Sequence, residues 1–96
     1  MLNEQQTSHI TSNINFTNHA LARKQQRGIK DSWIDLVLEF GHYIYQKSKH
    51  AYSVSLDKTG IKRIKETYGN LVYLNKLRRV YVILSEDSAV ITCAYR

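Results

Sequence analysis

The sequence predicts an α+β domain: two N-terminal helices packed on a small antiparallel sheet of about four strands, with a further helix between two hairpins. Apolar residues recur at helical spacing in residues 31–40 and again in 58–68. Two strand-like pairs, residues 42–56 and 80–95, each straddle a short polar turn. Proline is absent, and no repeat or low-complexity linker marks a boundary. Ninety-six residues, 43% apolar and 23% charged, suit one core and are too few for two.

Residues 1–16 read as a partly ordered leader, and 17–96 as the domain. Met1 to Asn13 are polar and lack the apolar core of a signal peptide, and no apolar run approaches the roughly 20 residues of a membrane helix. The expected location is therefore the cytoplasm, with no membrane partner. Thr17 is placed to N-cap the run HALARKQQR, and Gly28 to stop it, giving a first helix over about 18–27. Asp31 or Ser32 caps a second helix that ends at Gly41, with Trp33, Leu36, Val37 and Phe40 as its apolar stripe.

Strands are expected over about 42–47 and 51–56, joined by Ser48–Lys49–His50. Asp57 caps the helix KTGIKRIKETY, whose stripe is Ile61, Ile64 and Tyr68. After Gly69–Asn70 a short helix is expected in LVYLNKL. RVYVIL and AVITCAY then form a hairpin about SEDS. Cys93, the single cysteine, lies in an apolar strand and reads as a buried structural thiol.

The net charge of +6 favours a polyanion, and nucleic acid is the commonest soluble one. The basic residues are grouped. Residues 18–30 carry Arg23, Lys24, Arg27 and Lys30 without an acid, and 57–79 hold seven lysines and arginines against Asp57 and Glu66. His19, Arg23 and Arg27 recur at i, i+4 and i+8, drifting only about 40° per step around a helix. No acid stands three or four residues from either arginine within that helix.

An imidazole beside two guanidiniums suits cleavage of an RNA phosphodiester. RNA carries its own nucleophile, the 2′-OH. Histidine titrates near neutrality and serves as acid or base. Arginine presents a fork of donors to phosphate oxygens. No cofactor is expected, and the scattered histidines offer no metal set. On spacing alone, two arginines four apart on an exposed helix are usually a solvated face, and a lone histidine is more often an inert surface residue or helix-capping neighbour than a catalyst. Lys24, Lys62, Arg63 and Lys65 read as phosphate contacts. Thr92, Tyr95 and Arg96 lie on or after the last strand, where they either join a site on the sheet or face solvent. His50 and Tyr52 are weaker candidates for the same groove. Tyr43, Tyr45 and Tyr52 are candidates for base stacking, with core filling the plainer account.

His19, Ala20, Arg23, Arg27, Gly28, Ile29 and Gly41, followed at the end by Val90, Ile91, Thr92, Tyr95 and Arg96, resemble the pattern of the family called domain of unknown function 4258. That family is similar to the barnase/EndoU/colicin-D/RelE superfamily, largely metal-independent ribonuclease toxins. The resemblance implies a RelE/barnase-like fold, with His19 as the acid–base group, Arg23 and Arg27 on the scissile phosphate, and Thr92 and Arg96 approaching from the sheet. It also implies RNA as substrate and a neutralising antitoxin or immunity protein, plausibly acidic, over the basic groove. The expected function is thus a metal-independent ribonuclease toxin. A non-catalytic RNA- or DNA-binding module on the same fold is the alternative. A protein-interaction domain is disfavoured by the basic charge.

Overall fold

The structure, a computed structural model, describes residues 15–96. Its elements are β1 (Asn15–Phe16), α1 (Asn18–Arg27), α2 (Asp31–Phe40), β2 (His42–Gln46), a 3-10 turn (Lys47–Lys49), β3 (Ala51–Ser55), α3 (Lys58–Tyr68), α4 (Leu74–Leu77), β4 (Val80–Ser85) and β5 (Ala89–Tyr95). The strands form one sheet in the order β1-β5-β4-β3-β2. All neighbours are antiparallel except β1 and β5, which run parallel.

The architecture is α+β as expected, but the sheet is mixed and has five strands rather than about four. The addition is β1, which pairs Asn15 with Ala89 and Phe16 with Val90. These residues were expected in the leader. A two-residue strand is too short to show period-two alternation, and long-range contacts hold it: Phe16 packs on the core and Thr17 N–H donates to Val90 O at 3.0 Å. The rest of the expected leader, residues 1–14, lies outside the described residues.

Strand register divides the sheet into two faces. Val54, Val82 and Cys93 stand side by side on the first, as do Val80 and Tyr95. The buried residues of α2 (Trp33, Ile34, Val37, Leu38), α3 (Ile61, Ile64) and α4 (Leu74, Leu77) pack there and make the core. The second face carries His42, Ile44, Ser53, Ser55, Tyr81, Ile83, Thr92 and Ala94. Among the described residues no helix is long and apolar enough to cross a membrane.

Two boundaries differ from expectation. α2 begins at Asp31, and its N-cap is Lys30, with no side-chain cap bond. The Asp31 carboxylate turns away to Lys24 Nζ at 2.5 Å, so an ion pair between helices takes the place of the expected cap. The last short helix covers only Leu74–Leu77 of the LVYLNKL run, and Val72 is almost fully exposed. Gly41 does end α2, though not by left-handed backbone. Its φ is −78°, and a Cβ there would stand 2.3 Å from Val37 O, so β2 can leave the helix only where no side chain intervenes.

Candidate active site

α1 is fixed at both ends, which sets where its side chains point. Thr17 Oγ accepts from Ala20 N–H at 3.1 Å and caps the helix. The same hydroxyl donates to Ile91 O at 3.1 Å. β5 carries a bulge here, since Ile83 pairs with Thr92 and Leu84 with Val90. Ile91 is the extra residue, and the Thr17 hydroxyl meets its carbonyl. At the other end Gly28 takes φ 65°, the left-handed conformation open to glycine, and its N–H returns to Gln25 O. Ile29 N–H reaches Lys24 O at 2.9 Å, and its side chain is buried.

Ala20, fully buried, lets α1 lie close against β5. Lys24 turns to Asp31 and stands 5.1 Å from the Phe16 ring centre. The remaining edge of α1, His19, Arg23 and Arg27, faces the second face of the sheet. With Tyr81, Thr92, Ala94 and Tyr95 it lines an open cleft of about 450 Å³. Among the described residues no carboxylate is in that lining. Arg23 Nε–H donates to His19 Nε2 at 3.4 Å, and its Nη1 to Gln26 Oε1 at 3.3 Å. Arg27 Nη1 donates to the β5 carbonyl of Cys93 at 3.3 Å. Each arginine keeps further N–H donors beyond these bonds.

Burial raises the Tyr95 hydroxyl above its ordinary range, with a smaller push from Cys93 and an opposing pull from Arg79. Its O–H donates to Gly28 O at 3.4 Å. Arg96 stands at the rim rather than in the lining: its guanidinium lies 5.4 Å from the Tyr81 ring centre. Arg79 holds that rim, its Nε and Nη2 donating to Arg96 O at 2.9 and 2.6 Å. Cys93 is fully buried and burial pushes its thiol up, with Lys24 and Arg27 opposing, so it is a structural thiol.

The structure does not gather every candidate. Lys24 is occupied by Asp31 and does not enter the cleft lining. Lys62, Arg63 and Lys65 ride on α3, which buries Ile61 and Ile64 against the first face of the sheet. Arg63 stacks 5.2 Å from the Phe40 ring centre. These three therefore lie across the sheet from His19, a separation that sequence spacing cannot express. Tyr52 also belongs to the first face, where Tyr43 and Tyr45 ring it at 6.1 and 5.1 Å. His50 sits in the turn at φ 50°, its Nδ1 3.8 Å from Glu86.

Sequence reasoning missed Tyr81 and Ala94 in the cleft. Ala94 was legible, because residues two apart on a strand share a face and Thr92 was already a candidate. Tyr81 reaches the site only through its pairing with Ala94. Among the described residues no group of three or more His, Cys, Asp or Glu side chains could hold a metal ion.

The family model described as Domain of unknown function (DUF4258) matches residues 16–96. The chain belongs to this family. The match spans all the described elements, with only Asn15 of β1 falling outside it. It therefore includes the cleft of this DUF4258 domain whole. No curated protein and no solved structure matches the chain.

Proposed function

We propose that this DUF4258 protein is an endoribonuclease toxin that cleaves RNA through its own 2′-OH, without a metal. The observation that carries the reading is the cleft: His19, Arg23 and Arg27 along one edge of α1, facing Thr92 on β5, with no carboxylate among the described residues of the lining. A scissile phosphate between α1 and the sheet meets two guanidiniums. His19 then takes the 2′-OH proton as the 2′-oxygen bonds to phosphorus. Arg23 and Arg27 stabilise the charge that builds on the phosphorane oxygens. The bond to the 5′-oxygen breaks and that oxygen takes up the proton that His19 accepted, which returns the imidazole to its starting state. The products are a 2′,3′-cyclic phosphate and a 5′-OH, with no net change in protons.

The likeness of the family to the RelE/barnase-type toxins supports this reading as analogy of fold. It brings with it a cytoplasmic site of action and an acidic antitoxin covering the cleft. Incubation with total RNA in EDTA tests the activity. Fragments ending in cyclic phosphate are expected from the wild type and none from His19→Ala.

A non-catalytic nucleic-acid module is the second reading. The position of Lys62, Arg63 and Lys65 across the sheet favours it, since basic charge is not confined to the cleft. Salt-sensitive retention of RNA without cleavage would select it.

A further inference from the structure

We propose that the second face of the sheet is a track for single-stranded RNA, running across the strands from the cleft to His42. The inference rests on the ribonuclease reading of the cleft and adds the form of the substrate.

Register sets two parallel rows of side chains on that face. One runs Ala94, Tyr81, Ser55, His42 and the other Thr92, Ile83, Ser53, Ile44. Both begin at the cleft. With strands about 4.8 Å apart, each row reaches roughly 14 Å from β5 to β2. Their chemistry changes in steps. At the α1 edge stand the guanidiniums, the imidazole and the Thr92 hydroxyl. On β4 come a half-buried aromatic ring and an isoleucine, Tyr81 and Ile83. Ser53 and Ser55 form a low floor on β3. His42 and Ile44 make the far rim, Ile44 being 50% exposed. Neither row contains a carboxylate, and the Arg96 guanidinium hangs over Tyr81.

Such a surface fits a chain that is anionic along one side and flat and apolar along the other. Phosphates go to the α1 edge, and bases lie on Tyr81 and Ile83 with Arg96 above. Duplex RNA is a poor match. Its base faces are already stacked, and its regular backbone holds the 2′-oxygen out of line with the leaving 5′-oxygen. A single strand frees both. The basic α1 edge, free of carboxylates among the described residues, selects a polyanion over a second copy of this basic chain, whose charge would oppose pairing.

The test uses the full-length His19→Ala protein, so that RNA stays intact, in EDTA. Fluorescence anisotropy is read with labelled single-stranded RNA of about eight nucleotides and with the same sequence as duplex. The single strand is expected to bind about tenfold more tightly than the duplex, and Tyr81→Ala to remove about that factor while Tyr81→Phe retains it. Ile44→Ser, at an exposed position that does not threaten the fold, should weaken binding severalfold. Equal affinity for duplex, or an unchanged affinity in both Tyr81→Ala and Ile44→Ser, overturns the track. So does a dimer that Ile44→Ser dissociates without touching RNA binding, which would give the face to a second copy. The two readings separate cleanly. Tyr81-dependent binding by a wild type that cuts nothing keeps the track and ends the ribonuclease reading. Cleavage indifferent to Tyr81 and Ile44 does the reverse.

Discussion

His19 is exposed and, among the described residues, its side chain bonds only to Arg23, so its removal leaves the core untouched. On the ribonuclease reading, His19→Ala should abolish cleavage while its thermal melt overlays that of the wild type. Arg23→Ala and Arg27→Ala should each cost about 2–4 kcal/mol of transition-state stabilisation, read as a fall in kcat/KM. Lysine should rescue neither fully, because a point charge lacks the fork that grips two phosphate oxygens. Lys62 was expected among the phosphate contacts, but α3 carries it to the opposite side of the sheet. Lys62→Ala should therefore leave kcat/KM on a short oligonucleotide unchanged. A loss as large as that of Arg23→Ala would show that the substrate wraps both faces.

Among the elements, α1 matters most to the site and has little apolar contact of its own. Leu21, its one large apolar side chain, is 42% exposed. The helix depends instead on Thr17, which caps it and ties it to the β5 bulge. Thr17→Ala should cost about 1–2 kcal/mol of stability and, on the ribonuclease reading, lower activity further than that loss of fold explains, since the edge of His19, Arg23 and Arg27 comes adrift from Thr92. Comparing the denaturant midpoint with kcat/KM for this variant and for Thr17→Ser, which keeps the hydroxyl, checks it. The limits of α1 were legible because its cap and its stop glycine are local signals. The start of α2 was not. Asp31 is a good cap by type, but Lys24 seven residues earlier claims its carboxylate, and a local rule does not weigh a competing partner. β1 escaped for a related reason: Asn15 and Phe16 are a strand only because β5 has an edge to offer.

For the whole molecule, stability rests on the layer between α2, α3, α4 and the first face. Ile64 is fully buried in it, and Ile64→Ala should cost about 2–5 kcal/mol, measured by urea denaturation. The pH dependence follows from Cys93. Burial raises its thiol above the ordinary 9.0, so the folded state holds a proton that the unfolded chain releases. Below that value both states are protonated and the contribution is intact. As pH climbs past it the unfolded state binds fewer protons, and stability falls. The melting temperature should therefore drop on the alkaline side, and Cys93→Ala should drop less steeply. In the native protein Cys93 should resist a thiol reagent that labels it at once in guanidinium.

Local physics carried much of this protein into its sequence. Caps at Thr17 and Asp57, the stop at Gly28, the stripes of α2 and α3 and the two hairpins all depend on residues close together in the chain. So does the shared edge of His19, Arg23 and Arg27, because helical spacing aligns them wherever the helix lies. What that edge faces is a matter of long-range contact. Strand pairing brought Tyr81 beside Ala94, the bulge at Ile91 met Thr17, and burial of Ile61 and Ile64 carried the α3 lysines away to the other side. Periodicity reports which side of an element is apolar. Only the packing of elements against one another decides which polar sides come to share a cleft.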